Sequence, residues 1–439
     1  MTKRVPKCAS ARHACFIVLE EVEKGEKIQD VLNRLLSVNS FHARDRHFIT
    51  EISYGVLRVE RKLSYLLRLA LPNVSKLPRA CVRILLISLY SLLFLSKVPV
   101  YATVSEGVEL AKRLLGKSFA DLVNAVLRKI ATQKEALLDF KACSSASDSD
   151  PVFQTLGRYY SVPIWIVELW REAYGNAAAI QLLLRSYERP QNVILVNRLH
   201  PKHEAFQSLI HESCTYKKIG SFGYALSLRN LEGIINLETW HGEGVFSYQS
   251  ASSQAVLHHL GITRWIGPVW DMCAGFGGKS ALLREAGVDV VISSDISWQR
   301  LSKLNADFDR RHLQKPQCLL CDVTKPPLRS FSGHLLLDVP CSGLGVLARR
   351  PDLKLRRQTR RSIRNFPQTQ SALLESAFSY LQVHSQLGYI TCTLNPEENE
   401  EQIARFLKMH PQMRLLAEWQ TPYSEKDDGM YGALLQRIF

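Results

Sequence analysis

From about residue 266 onward the sequence alternates between short apolar runs and helical stretches, and this alternation limits the fold more than any other feature. PVWDM (268–272) leads into a glycine turn and a helical GGKSALLREAG. DVVISS (289–294) leads into an acid and a helical WQRLSKLNADF. QCLLC (317–321), HLLLD (334–338) and LGYIT (387–391) are further strand candidates, with helices near 370–383 and 397–408. Alternating units of this length predict a doubly wound, mostly parallel sheet. Such sheets bind ligands outside the carboxyl ends of their strands. On this reading Asp271, Asp295, Asp322, Asp338 and Cys392 all fall at that edge.

The first third of the chain reads differently. Residues from about 8 to 132 are helical throughout, with apolar positions at helical spacing such as Val104, Val108, Ala111 and Leu115, then Leu122, Val126 and Ile130. Gly25, Pro72, Pro99 and Gly116 sit at the joints, so a helical bundle is expected. The Ser/Asp-rich KACSSASDSDP (141–151) reads as a linker. A mixed region follows to about residue 245, with helical stretches over 153–186, a strand-like NVILVN (192–197) and a helix near 202–212. The longest apolar run, Ile84 to Leu95, is too short to span a bilayer and is flanked by Arg83 and Lys97, so it predicts a buried core helix.

Charge narrows the partner. A net charge of +15 favours a polyanion, usually nucleic acid or an anionic membrane. Its densest stretch is RRPDLKLRRQTRRSIR (349–364), where eight Lys or Arg face one acid, Asp352. The plain structural reading of such a run is a solvated face. Ten scattered cysteines do not form a disulfide framework, and the opening MTKRVPKCASARH has no apolar segment of a secretory signal. A reducing, cytoplasmic setting is expected, with no membrane association. Cys318 and Cys321 form a CxxC without a second pair, so no metal is expected.

Five stretches carry chemistry. DMCAGFGGKS (271–280) is a strand, a glycine turn and a helix start, suited to close approach of a nucleotide-like ligand. It matches neither the GxGxxG dinucleotide pattern nor a P-loop. SSDIS (293–297) places Asp295 where a carboxylate takes ribose hydroxyls, although a helix cap explains it equally well. CDVT (321–324) adds Asp322 after the third strand. LLLDVPCSG (335–343) ends a buried strand in a stiff turn holding Asp338 and Cys341. In YITCTLNPEENEEQ (389–402), Cys392 lies between a strand end and a helix that Asn395 caps, with Pro396 first and Glu397 and Glu398 in the opening turn. A buried structural cysteine is the ordinary alternative for Cys392.

In this order, DMCAGFGGK, LLLDVPCSGLG and YITCTLNPEEN resemble the Sun/RsmB family of RNA cytosine-C5 methyltransferases. DRHFITEISYGVLR (45–58) and PVYATVSEGVELAKRLLGKSFADLVNAVLRKI (99–130) resemble the NusB-like RNA-binding domain of the bacterial 16S ribosomal RNA enzymes. GVFSYQSASSQ (244–254) and DGMYGALL (428–435) resemble the family's lead-in motif and closing strand. The resemblance implies an all-α NusB-like bundle (1–140), a linker (141–151), a small α+β RNA-recognition subdomain (152–245) and an α/β class I, Rossmann-like methyltransferase domain (246–439). It implies S-adenosylmethionine as methyl donor, held by Cys273, Ala274, Gly275, Phe276, Gly277, Gly278 and Lys279, with Asp295 at the ribose, Asp322 near the adenine and Asp338 at the methionyl end.

The implied reaction is methylation of cytosine C5 in 16S rRNA by a monomeric enzyme. Cys392 is the nucleophile that adds to C6, Cys341 assists release, and Asp338 bonds a protonated N3. The chain departs from the family at Gly275-Phe276, where Ala-Pro is usual, at Val339 for alanine and at Ser250 for aspartate. Other RNA such as tRNA is the nearest rival substrate, and a non-catalytic RNA-binding or assembly protein the rival class. A DNA cytosine methyltransferase has no TC partner to its PC cysteine, and an amino-group methyltransferase would carry [DN]PP[YF], which is absent.

Overall fold

The apolar spacing of the first third resolves into helices Ala11–Glu23, Ile28–Val38, Ala43–Arg58, Glu60–Ala70, Arg79–Phe94, Val100–Leu115 and Lys117–Thr132. The computed structural model describes residues 7–145, 148, 151–213, 216–219, 223–226, 236–325 and 328–439; part of the expected linker, at 146–147 and 149–150, lies outside them. Arg79–Phe94 is buried on nearly every side, as its apolar run demands, and its Ile84, Leu85 and Leu89 are fully enclosed. Each such side chain contributes roughly 1.5–3 kcal/mol by leaving water. Among the described residues no helix is long and apolar enough to cross a membrane. Val104, Ala111, Val126 and Ile130 form the inner stripes of the two following helices.

This helical unit runs to Glu188 and takes in a second piece of chain, Arg350–Ser362. That piece is the densest part of the basic run, and it is not simply a solvated face. Lys354 is only 2% exposed, and its Nζ donates to the carbonyls of Arg58 (3.0 Å) and Tyr160 (2.9 Å). Burial, reinforced by Arg58, holds its pKa well below the usual lysine range. Asp352 is fully enclosed and accepts from Arg350. Leu355 packs on the bundle core, and the Trp165 indole donates to the carbonyl of Arg357 at 2.9 Å. The solvated-face expectation fails because alternate residues of the run, Leu353 and Leu355 among them, have apolar surface to bury.

The second unit comprises Arg189–Arg349 and Ile363–Phe439. Strands β1 (Asn192–Val196), β2 (Tyr216–Ile219), β3 (Gly223–Leu226) and β4 (Phe246–Tyr248) form an antiparallel sheet in the order β2-β3-β1-β4. Phe206 and Phe246 stack beneath it with ring centroids 5.0 Å apart.

The larger sheet has seven strands: β5 (Pro268–Asp271), β6 (Asp289–Asp295), β7 (Gln317–Leu320), β8 (His334–Asp338), β9 (Gln386–Thr391), β10 (Met413–Gln420) and β11 (Tyr431–Arg437). Their order is β10-β11-β9-β8-β5-β6-β7. The pairs β5/β6, β5/β8, β6/β7 and β8/β9 are parallel, while β11 runs antiparallel to both β9 and β10. The expected doubly wound sheet is therefore present. β10 was not legible, since its edge position leaves Leu415 and Leu416 exposed and breaks the apolar alternation. The strand order reverses between β5 and β8, and at such a switch point a crevice opens beyond the strand ends.

Candidate active site

β5 ends at Asp271, and the chain turns through residues 272–277 into helix Gly278–Glu285. The turn requires glycine at Gly277, where φ is +80° and an added Cβ would lie 2.4 Å from the Leu304 side chain. At Gly275 and Gly278 an added Cβ would meet nothing within 4 Å, so the space beside this backbone is open. Phe276 projects outward, 55% exposed, with the Lys303 ammonium 5.3 Å from its ring centroid. Ala274 N–H donates to the Ser294 carbonyl at 2.9 Å, which fixes the turn against β6. Burial, with Asp271, Asp338 and Asp295 nearby, pushes the Cys273 thiol well up. Asp271 itself is buried, and that burial raises its carboxyl to about 7 although Ser280 Oγ donates to it at 2.6 Å.

Asp295 closes β6 and is 6% exposed. Its Oδ2 accepts from Gly275 N–H (3.1 Å) and Arg300 (3.4 Å), and its Oδ1 from Ser297 N–H (2.8 Å). The carboxylate thus joins the glycine turn to the start of the next helix. Asp322 is exposed and accepts from the backbone (3.0 Å) and hydroxyl (2.7 Å) of Thr324, bonds that hold its pKa below the usual carboxylate range.

Asp338 closes β8, and its Oδ2 lies 2.5 Å from Lys279 Nζ. Burial works against the Lys279 charge, but the Asp338 charge and hydrogen bond outweigh it, with Cys392 adding to the effect, so the lysine pKa is raised. Lys279 therefore serves Asp338 at least as directly as any ligand on the turn. Beyond Val339 and Pro340, Cys341 Sγ lies 3.2 Å from Cys392 Sγ, and both cysteines are free thiols. Contact with Cys392 raises the Cys341 thiol most, followed by burial.

Two loops deliver these sulfurs, and several bonds stitch them together. Val339 N–H donates to the Ile390 carbonyl at 3.0 Å and Gly345 N–H to that of Cys392 at 3.2 Å. Ser342 Oγ and Thr393 Oγ1 share a 2.7 Å bond. Gly343 takes φ +76°, and a Cβ on Gly345 would fall 1.9 Å from the Gly429 carbonyl oxygen, so both positions demand glycine. Glu398, fully enclosed, braces both loops. Its Oε2 accepts from Ser342 N–H (2.8 Å) and Gln370 Nε2 (3.0 Å), and its Oε1 from Asn395 Nδ2 (2.9 Å).

That brace corrects one expectation. Asn395 makes no side-chain cap, Pro396–Glu398 form a short 3-10 turn, and the α-helix starts at Glu400. The sequence pattern predicts Glu398 as an acid at a helix start, whereas its carboxylate points inward to Ser342, Gln370 and Asn395. Asn399 completes the loop, accepting from Thr391 Oγ1 (2.7 Å) and donating to the Thr393 carbonyl (3.0 Å). The NPEEN letters were visible in the sequence, but nothing in their spacing told an inward acid from an outward one.

A family model of 16S rRNA methyltransferase RsmB/F matches residues 266–435, and the NusB family model matches residues 9–132. A probable ribosomal RNA small subunit methyltransferase B of Synechocystis is 33% identical over 437 residues, covering 97% of this chain and 95% of the relative. A protein of the same name from Bacillus subtilis is 30% identical, covering 90% and 88%. Among solved structures, PH0851 superposes with a TM-score of 0.75 at 19% identity, covering 97% of this chain and 98% of its own. NSun6 from Pyrococcus horikoshii with SFG gives 0.52 at 17% identity over 62% and 97%, and at these identities both speak for the fold alone. With the Synechocystis likeness running almost end to end, the chain belongs to the RsmB/F family of 16S rRNA methyltransferases.

Proposed function

We propose that the protein methylates C5 of a cytosine in small-subunit rRNA, in the cytoplasm, with S-adenosylmethionine as donor. The observation that carries this reading is the sulfur pair: Cys341 and Cys392, 51 residues apart, meet at 3.2 Å beside the strand end that holds Asp338. A cytosine C5 is a weak nucleophile until a thiolate adds at C6 and makes the ring enamine-like. Cys392 forms the S–C6 bond, and the electron pair from the C5–C6 double bond moves to C5, which takes the methyl group. Asp338 hydrogen-bonds the protonated N3 and stabilises the charge that the ring acquires. Water then takes the C5 proton, the C–H electron pair re-forms the C5–C6 double bond, and the S–C6 bond breaks with its pair on sulfur, which departs as thiolate, with Cys341 assisting that step.

The residues fit the donor. The open space at Gly275 and Gly278 admits a ligand against the backbone, and Asp295 stands at the adjoining strand end. Cys273, Ala274, Phe276, Gly277 and Lys279 complete the turn, with Asp322 toward the base and Asp338 toward the reacting end. Bound there, S-adenosylmethionine supplies an electrophilic methyl group. We assign RNA binding to residues 1–140 and substrate recognition to 152–245, joined by 141–151, with catalysis in 246–439 apart from Arg350–Ser362, which packs into the helical unit.

The test is methyl transfer to unmethylated small-subunit rRNA, with the site mapped by bisulfite sequencing. Cys392→Ala should abolish both transfer and covalent adduct. Cys341→Ala should accumulate a protein–RNA species that survives denaturing electrophoresis. The opposite pattern would give Cys341 the nucleophile's role and overturn the assignment. An unpaired cytosine should be the better substrate, since the base must leave its stack.

A further inference from the structure

The helical unit contains a cleft of about 1250 Å³ between helices Ala43–Arg58, Glu60–Ala70 and Arg79–Phe94 and the packed segment around residues 355–358. It exceeds the roughly 300–1,000 Å³ usual for small-molecule pockets. Seven arginines line it. Three are already matched: Arg83 pairs with Glu23 at 2.7 Å, Arg158 with Asp148, and Arg356 with Asp352 at 3.7 Å. Beyond those pairs, Arg61, Arg68 and Arg79 share the lining with one further acid, Glu60, whose Oε1 accepts from Ser64 at 2.6 Å. Arg68 and Arg79 are exposed, and neither forms an ion pair among the described residues. Burial and the positive field of Arg68 both lower the Arg61 pKa, and Glu60 only partly offsets them. An anion in the cleft would relieve that repulsion.

The floor is apolar, with Leu57, Leu67, Val82 and Leu355, and Tyr65 lies on the wall. Guanidinium forks suit phosphate bidentately. An apolar floor with an aromatic suits unstacked bases, which a duplex does not offer.

We propose that this cleft is a binding site for single-stranded RNA, separate from the catalytic crevice, with the segment 355–358 as part of its wall. The inference rests on the reading of the chain as an RNA methyltransferase and goes further by naming where and in what form RNA is held. The packed basic segment then has a purpose: Lys354 anchors it so that Arg356 and Arg357 stand on the cleft wall.

The test uses the full chain and a fluorescein-labelled oligouridylate, with affinity measured by anisotropy across a salt series. Each phosphate contact on a single strand contributes about 0.7 to the log–log salt slope. Arg68→Gln with Arg79→Gln should reduce the slope by about 1.4 and weaken binding about 25-fold near 0.1 M salt. Adding Arg61→Gln should reduce the slope further, with thermal denaturation as the fold control. Lys408→Gln with Arg414→Gln, exposed positions in the second unit and outside the cleft, should leave the slope unchanged. An unaltered slope in the cleft variants, or an equal fall in the control pair, overturns the proposal. So does loss of oligoglutamate binding with RNA binding intact, which would make the site one for acidic peptides. Methyl transfer by the unaltered chain is measured in parallel. Transfer with an insensitive slope removes the cleft alone, whereas a sensitive slope without any transfer removes the catalytic reading and leaves the cleft.

Discussion

Truncating Glu398 should separate a structural brace from a helix-start acid. Its carboxylate accepts from Ser342 N–H, Gln370 Nε2 and Asn395 Nδ2 in a fully enclosed site. Glu398→Ala strands these donors unequally, because Gln370 Nε2 also donates to the Pro340 carbonyl at 3.1 Å and keeps that partner. The Ser342 and Asn395 donors lose theirs, at about 1–3 kcal/mol for each buried unsatisfied group. Together they cost about 2–6 kcal/mol, before any cost of the void. At about 2–4 °C per kcal/mol for a unit of this size, the melting temperature falls by roughly 4–24 °C. Glu398→Gln should behave quite differently. Its amide oxygen can take the place of Oε2, and its amide nitrogen then faces Asn395 Nδ2. Asn395 Oδ1 has no partner in the native site, so a half-turn of that amide restores the bond. The expected cost is about 0.5–1.5 kcal/mol. Urea denaturation followed by tryptophan fluorescence measures both variants, and methyl transfer should survive in Gln and fail in Ala. An alanine variant within about 1 kcal/mol of the native chain, or a Gln variant as damaged as Ala, would refute the brace.

Two further outcomes follow from the strand-end acids. Asp295→Ala should weaken S-adenosylmethionine binding by roughly 1–3 kcal/mol in calorimetry, and unchanged affinity in a folded variant would reduce Asp295 to its bonds with Gly275 and Ser297. Burial raises both Asp271 and Glu285 to about 7, so the folded chain holds protons that the unfolded chain gives up. Their contribution to stability is complete below their unfolded pKa values, near pH 4, and is lost as pH rises toward about 7. Asp271→Asn should flatten that fall in urea unfolding free energies, and an equally steep fall in the variant would exclude Asp271 as a cause.

The parts of this molecule that were legible in the sequence follow from periodicity, and the parts that were not follow from direction. Strands β5, β8 and β9 announced themselves because they are largely buried and their apolar runs are continuous, as in Leu335, Leu336 and Leu337, whereas β7, at the opposite edge and half-exposed, was legible only from its place in the alternation. β10 gave no such signal because it is an edge strand with exposed leucines. The glycine turn and the two cysteines could be placed at strand ends, but contact at 3.2 Å between residues 51 apart needed the fold. The family resemblance, not spacing, supplied their pairing. Sequence pattern groups Lys279 with the glycine turn, yet its ammonium reaches Asp338, a partner 59 residues away that local pattern cannot indicate. The basic run misled for a related reason. A count of charges does not show that Asp352 and Lys354 face inward, since buried charges require partners from distant chain such as the Arg58 and Tyr160 carbonyls.

The distance between the two sulfurs also bears on how the proposed reaction divides its work. Two thiols in contact cannot both ionise readily, because a second negative charge at that separation is opposed by the first. Cys392 is the largest cause of the raised Cys341 pKa, so when Cys392 carries the charge the proton stays on Cys341. The Lys279 ammonium, stabilised by Asp338 and in the field of Cys392, places a positive charge where a nucleophilic sulfur benefits from one. In the proposed reaction, addition would use Cys392, Asp338 and Lys279 and no chemistry from Cys341. Release differs: the departing sulfur re-forms its charge beside a neighbour that still holds a proton to share. Loss of Cys341 should accordingly slow the breaking of the S–C6 bond far more than its making, which is why the trapped adduct is expected in Cys341→Ala and not in Cys392→Ala.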